Sequence, residues 1–260
     1  MDLKLKGRKA IITGASKGIG RAIAETLADE GCHVALCARD MAEVEAAVDA
    51  LKKKGVNAAG AAFDVRDKAA LDTWINRSAE ALGGMDIAIA NVSALDMGSG
   101  EDAWRNEFEI DMLHTVRTVE TALPWIEQSD AGAILVISSV AGLEFDWTFP
   151  AHGTVSTAYG TFKAALIHYA SRMASLLAPK HIRVNTVSPG HTYCEGGGWQ
   201  EIEQDMPDLF HAALAKIPWG RMATAEEVAT AAVFLVSPRA SFITGVNVVV
   251  DGALTNRVQH

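Results

Sequence analysis

Short apolar runs rich in β-branched residues recur along the chain, and each is followed by a stretch whose apolar positions return every three or four residues. The runs are Ala10–Thr13, His33–Ala38, Asn57–Asp64, Asp86–Asn91, Ala133–Ser138, Arg183–Ser188 and Asn247–Asp251. Several, such as Ile134-Leu135-Val136-Ile137, are apolar on both faces, as a strand covered by helices above and below must be. Helical periodicity occupies residues 18–30, 41–54, 68–82, 102–128, 156–177 and 225–236. Asp40 and Asp67 stand at N-cap positions, and Thr224-x-x-Glu227 reads as a capping box. The alternation predicts right-handed crossovers and an α/β fold: a Rossmann-like, doubly wound, seven-stranded parallel sheet with helices on both faces. No repeat or linker divides the chain, so residues 1–260 read as one domain.

One stretch breaks the rhythm. Residues 191–218 are glycine-rich and then helical, with Gly196-Gly197-Gly198 followed by Trp199. They lie past the carboxyl end of the sixth strand, where open α/β sheets bind ligands, and this predicts a mobile substrate lid.

Composition narrows the function classes. With 260 residues and 49% hydrophobic content the chain can bury a large core, and 21% charged residues is an ordinary globular share. The formal charge of −9 opposes a phosphate backbone, so nucleic acid is not an expected partner, although a local basic pocket for a phosphorylated cofactor is compatible with it. Cys32, Cys37 and Cys194 show neither Cys-x-x-Cys nor metal-ligand spacing and suit a reducing compartment. Residues 1–9 lack an apolar run behind a basic head, and no apolar run approaches bilayer length. A cytoplasmic protein with no membrane partner is expected.

Thr13-Gly14-Ala15-Ser16-Lys17-Gly18-Ile19-Gly20 follows the first strand and opens an alanine-rich helix. Backbone N–H groups at a helix start can approach an anion closely, and the helix dipole favours it there. Gly14 permits the tight turn, Gly18 clears the path of a pyrophosphate, and Gly20 allows close helix–strand packing. Ser16, Lys17 and Ile19 complete a candidate dinucleotide loop. At the end of the second strand, Cys37-Ala38-Arg39-Asp40, an acidic residue would suit the ribose hydroxyls of NAD and an arginine the extra phosphate of NADP. Arg39 with Lys17 forms a two-cation pocket, and Asp40 stands where it would cap the next helix. NADP is the expected cofactor, with NAD the alternative.

Tyr159 and Lys163 are four residues apart on a predicted helix and so share a face. A cation about 4 Å from a phenol favours its ionised form by about 4 kcal/mol at an effective dielectric near 20. That is enough to bring the phenol toward working pH, and an oxidised nicotinamide adds to the effect. Tyr159 can then exchange a proton with a substrate oxygen while hydride moves to or from the ring. Ser139, at the tip of the fifth strand, is placed to hydrogen-bond that oxygen.

Together these residues resemble the short-chain dehydrogenase/reductase family in its compact single-domain form, over nearly the whole chain. Thr13 to Gly20 looks like its cofactor loop, Asp64-Val65 like its adenine-contacting pair, and Asn91 like the asparagine beside the adenosine ribose. Ser139, Tyr159 and Lys163 match its catalytic triad, and Lys163 by the same resemblance also holds the nicotinamide ribose. Pro189-Gly190 match the turn beside the nicotinamide, with Thr192 just beyond as a further cofactor contact. The closing run through Gly220-Arg221, Thr244-Gly245 and Asp251-Gly252 is also typical. The resemblance implies an oxidoreductase acting on a small alcohol or ketone, usually as a homotetramer. A 3-oxoacyl thioester reductase is the nearest alternative. An enoyl reductase fits less well, since that branch resembles Tyr-x6-Lys.

The sequence departs from the family in four places. Ser93 replaces a glycine after Asn91. Asp111 stands where a fourth catalytic residue, an asparagine, supports a water near the lysine; a carboxylate there would accept that water but also oppose activation of Tyr159. Cys194 takes the place of a threonine that contacts the pyrophosphate. The segment between Ser139 and Tyr159 is long, and its aromatic run from Phe145 to Pro150 reads either as a substrate wall or as a packed loop. Ser93 and Asp111 keep open a weakly catalytic cofactor-binding sensor. His152, His168 and His191 lack relay spacing and read as ordinary surface or loop residues.

Overall fold

Strand β1 (Lys9–Thr13) leads through α1 (Gly18–Asp29) to β2 (His33–Ala38), α2 (Met41–Lys53), β3 (Ala58–Ala62), α3 (Lys68–Leu82) and β4 (Ile87–Ala90). Next come α4 (Glu101–Glu107), a π-helical stretch (Phe108–Leu113), α5 (His114–Ile126), β5 (Ala133–Ile137) and α6 (Thr157–Leu177). The chain continues through β6 (Arg183–Pro189), β7 (Thr192–Tyr193), α7 (Gly198–Asp205), α8 (Pro207–Leu214), β8 (Ala223–Thr224), α9 (Ala225–Val236) and β9 (Asn247–Val250). The computed structural model describes residues 1–96, 98–144 and 157–256. The aromatic run 145–150 and His152 lie outside the described residues.

The main sheet has the order β3-β2-β1-β4-β5-β6-β9, every neighbouring pair parallel. Alternate residues of the central strands feed two apolar layers. Ile12, Ile89 and Leu135 face α1, α2 and α9, whereas Ile11, Ile134 and Val136 face α3, α5 and α6. Removing each such side chain from water contributes roughly 1.5–3 kcal/mol, which is why runs apolar on both faces settle in the middle of the sheet. Asp40 caps α2 and Asp67 caps α3, each accepting a backbone N–H at 3.0 Å, and the Thr224–Glu227 capping box opens α9. Buried Arg183 on β6 donates to the carbonyls of Val236 and Ser237 at 3.1 Å, closing the other end of α9.

One sequence expectation changes. The helix read over 102–128 is three pieces, because apolar spacing does not distinguish an i→i+4 turn from the wider i→i+5 turn adopted at 108–113. The helical part read in the 191–218 stretch is α7 and α8. β7 near the start of the stretch pairs with β8, which lies beyond its end at 223–224, and its Phe210, Ala213 and Ile217 pack with Met222 in a small core.

Chain order reverses between β1 and β4, so the loops leaving their carboxyl ends diverge and open a crevice there.

Candidate active site

The crevice is a cleft of about 1930 Å³. Every residue expected from the sequence to bind cofactor or catalyse lines it, except Asp111, which lies behind Lys163. The loop after β1 forms the cleft's floor at one end. Gly14 and Gly18 have φ of 67° and 59°, the left-handed region that glycine enters freely. A Cβ on Gly14 would stand 2.7 Å from Val92 Cγ2, so a bulkier residue could not occupy the turn. Lys17, at the N-cap of α1, makes no side-chain cap hydrogen bond, which leaves the N–H groups of the first turn open to an anion. These features fit a dinucleotide pyrophosphate.

The loop is braced from β4. Asn91 donates from Nδ2 to the carbonyls of Thr13 (3.1 Å) and Gly14 (2.8 Å). Its backbone N–H bonds Thr13 Oγ1, which also lies 2.8 Å from Nε2 of the fully buried His114. Burial pushes the His114 imidazole down to about 4, so it is neutral near pH 7. Asn91 therefore acts on the cofactor loop's geometry as well as lining the cleft.

Arg39 and Lys17 are exposed at the rim, and Asp40 is committed to its cap. Glu43, in the first turn of α2, accepts a hydrogen bond from Ser16 Oγ at 2.8 Å and lies 3.7 Å from Lys17 Nζ. Asp64 is held well below the usual carboxylate range, chiefly by hydrogen bonds from Arg66. Cys194 sits beside Gly18, and burial raises its thiol. His168 is exposed, as expected. His191 is not a surface residue: it is 8% exposed, lines the cleft and packs on Trp199 with ring centroids 4.4 Å apart.

The chemical centre lies where the turn after β5 meets α6. A Cβ on Gly142 would fall 2.6 Å from the Ala164 nitrogen, and one on Gly160 would fall 2.7 Å from the Ala141 carbonyl oxygen. Two glycines thus let the turn lie flush against α6, and Ser138 Oγ pins the contact by donating to the Lys163 carbonyl at 2.8 Å. The result is a hydrogen bond between Ser139 and the hydroxyl of Tyr159, which is partly buried on the cleft wall. Lys163 Nζ lies 5.5 Å from the centre of the Tyr159 ring and 2.7 Å from Asp111 Oδ1.

This geometry corrects the simple reading of the Tyr–Lys pair. Burial raises the Tyr159 phenol above its ordinary value; Lys163 and Ser139 pull it down, while Asp111 and Glu107 push it back up. Lys163 is held charged against its own burial by Asp111 and Tyr159. Asp111, in turn, is kept ionised against burial by Lys163. The cation's field is therefore shared, and the protein alone leaves the phenol protonated near neutrality.

The sequence reading missed Glu107. It is completely buried and accepts the Asp96 N–H at 2.7 Å, and its carboxyl acts on that of Asp111. Its signal was present: 107, 111 and 114 follow helical i, i+4, i+7 spacing on what becomes the buried face, and all three are titratable.

Comparison with known proteins gives a consistent picture. A family profile described as enoyl-(acyl carrier protein) reductase matches residues 14–255. The isoepoxydon dehydrogenase patN of Aspergillus clavatus is 40% identical over 255 residues, covering 96% of this chain and 95% of that one. The 2-(S)-hydroxypropyl-CoM dehydrogenase 3 of Xanthobacter autotrophicus is 32% identical over 260 residues, covering 98% and 99%. Among solved structures, the L-sorbose reductase of Gluconobacter frateurii, complexed with NADPH and L-sorbose, has a TM-score of 0.87 at 29% identity, covering 99% of this chain and 100% of that one.

Proposed function

The chain belongs to the short-chain dehydrogenase/reductase family and is an oxidoreductase of alcohol or carbonyl groups; on that premise we propose that it uses NADP(H) on a small alcohol or ketone, with Tyr159 as the proton-transfer residue. The observation that carries this reading is the hydrogen bond between Ser139 and Tyr159, with Lys163 one turn further along α6, inside the cleft that the glycine loop enters.

A bound nicotinamide would supply or accept the hydride and, when oxidised, add positive charge. The chain's own residues do the rest. Ser139 and Tyr159 present two hydroxyls to one substrate oxygen. Because burial keeps the phenol protonated, the resting site holds the proton that carbonyl reduction consumes. Lys163 stabilises the phenolate left behind. For a dinucleotide, the open N–H groups of α1 take the pyrophosphate, Asp64-Val65 and Asn91 the adenosine half, and Pro189, Gly190 and Thr192 the nicotinamide half. Arg39 and Lys17 receive the additional phosphate of NADP, and Glu43 must release Lys17 for that contact. Residues 191–218, whose first residues carry β7 paired with β8 just past the stretch, serve as the substrate lid, with Trp199 and His191 on its inner side.

Trp104, Phe108 and Phe162 form an aromatic cluster, with Trp104 40% and Phe108 41% exposed. That suits burial against a second copy, in keeping with a homotetramer. Three unpaired cysteines and the lack, among the described residues, of a helix long and apolar enough to cross a membrane are consistent with the cytoplasm.

The test is a ketone and alcohol panel, including isoepoxydon and a 3-oxoacyl thioester, run with both nicotinamide cofactors. Tyr159→Phe should lower kcat by about 10² or more while cofactor affinity stays within about twofold. Turnover at the parent rate in that variant would remove Tyr159 from the mechanism. Turnover confined to the thioester would shift the assignment to an acyl reductase.

A further inference from the structure

Behind Tyr159 and Lys163 lies a pair of carboxyl groups one helical turn apart. Glu107 ends α4, Asp111 sits in the π-helical stretch, and both are completely buried. Asp111 gives Oδ1 to Lys163 Nζ at 2.7 Å and accepts the Ala94 N–H at Oδ2, 2.8 Å away. Glu107 accepts the Asp96 N–H at 2.7 Å through Oε1, and its Oε2 is buried with no donor of its own, its carboxyl acting on that of Asp111. Two buried carboxylates facing a single ammonium cannot both stay charged cheaply, so one proton remains on the pair. Asp111 touches the cation and keeps the charge; Glu107 keeps the proton and donates it to Asp111.

The backbone these carboxyls hold is part of the cleft. The N–H groups of Ala94 and Asp96 flank Leu95, whose φ of 50° places a non-glycine residue in the left-handed region. That conformation costs roughly 1–2 kcal/mol and needs external support. The Leu95 N–H itself reaches Ser93 Oγ at 3.4 Å, and residues 93–95 line the cleft. Two departures noted in the sequence, Ser93 and Asp111, thus belong to one local arrangement, and Glu107 completes it.

We propose that Glu107 and Asp111 act as one proton-sharing positioning unit, which sets the charge behind Lys163 and holds the 93–95 wall of the substrate cleft. The proposal rests on Tyr159 and Lys163 being the proton-transfer pair. Other titratable groups around the unit are Lys163 and Tyr159 from α6, His114 from α5, and Asp96, whose carboxylate is engaged by Asn106 and the Gly98 N–H. Burial first, and the Asp111 charge second, push the Glu107 carboxyl up to about 8. Above that pH a second negative charge faces Lys163 and makes the Tyr159 phenol harder to ionise. Alcohol oxidation, which needs the phenolate, therefore gains less from alkali than a single phenol ionisation would give.

Glu107→Gln separates the charge from the contacts, since an amide can still accept the Asp96 N–H and donate to Asp111 but cannot ionise. The experiment measures kcat/KM for alcohol oxidation against pH in the parent, Glu107→Gln and Glu107→Leu. In parallel, the carboxylic-acid stretch of the cofactor-free parent and Glu107→Gln is followed by infrared spectroscopy from neutral to alkaline pH. The parent should show a protonated carboxyl at neutral pH that disappears around pH 8, and Glu107→Gln should lack it. The rate in Glu107→Gln should keep rising where the parent flattens, with kcat at neutral pH within about threefold of the parent. Glu107→Leu, which releases the Asp96 N–H, should raise KM about tenfold with a smaller change in kcat. Identical pH profiles for parent and Glu107→Gln, an unchanged KM in Glu107→Leu, or no protonated carboxyl in the parent would each overturn the proposal. If the variants do not fold, the infrared titration of the parent decides alone. That titration needs no turnover, so its outcome is independent of whether Tyr159→Phe abolishes activity.

Discussion

At the residue scale, function here is a matter of which charges are already engaged. Lys163 is completely enclosed and paired with Asp111, so it cannot devote its whole field to the phenol; Glu43 similarly occupies Ser16 and Lys17 at the rim. These engagements give the cofactor preference a concrete form. Arg39→Asp should shift the NADPH/NADH ratio of kcat/KM toward NADH by about tenfold or more, since a carboxylate repels the added phosphate and accepts ribose hydroxyls. Glu43→Gln should move it the other way, by freeing Lys17. Equilibrium binding of both reduced cofactors checks both variants, and ratios matching the parent in both would rule out this corner as the discriminating site. The placement of Arg39, Lys17 and Tyr159 on the cleft was legible in the sequence because it follows from motif position along the chain. Glu43 and Glu107 were not, because their roles come from partners 27 and 11 residues away, Ser16 and Asp96, which only folding supplies.

At the element scale, the decisive contact is the turn after β5 pressed on α6. It brings Ser139, two residues past the end of β5, to a tyrosine on a helix that begins well downstream in the chain. Gly160→Ala tests how closely the two must approach. The added methyl would overlap the Ala141 carbonyl oxygen at 2.7 Å, which is backbone and cannot swing aside. The turn should therefore back away from α6 and carry Ser139 from Tyr159. The expected result is a loss of kcat of about tenfold or more, with a stability loss of only about 1–2 kcal/mol, read by steady-state kinetics alongside urea denaturation. A variant with parent kcat would show that the spacing is not critical. Helix existence and most boundaries were legible from apolar spacing and caps, as Asp40, Asp67 and Thr224 show. The π-helical turn at 108–113 was not, because apolar spacing does not separate an i→i+4 from an i→i+5 turn.

At the scale of the whole molecule, buried titratable groups make stability depend on pH from both sides. Unfolded His114 titrates near 6.5 and folded His114 near 4, so between these values the unfolded state binds more protons. Its contribution is complete above the unfolded value and is lost as pH falls through that window. Glu107 acts in the opposite sense: raised from 4.5 to about 8, it binds its proton more tightly when folded, and its contribution is lost as pH rises through that range. Urea midpoints should thus decline on both limbs. His114→Gln should flatten the acid limb between pH 4 and 6.5, and a limb as steep as the parent's would show that other groups govern acid unfolding.

The order of strands and helices, the glycine loop, the Tyr–Lys spacing and the capping residues were determined by the sequence itself, because each rests on contacts a few residues apart or on a periodicity that repeats along the chain. Tertiary structure decided the rest: the buried carboxyl pair, the hold of Glu43 on the loop, the enclosure of His191 and a phenol that stays protonated. The physical reason is that desolvation and charge sharing act between side chains distant in sequence, so their balance exists only once the sheet and its helices have brought them together.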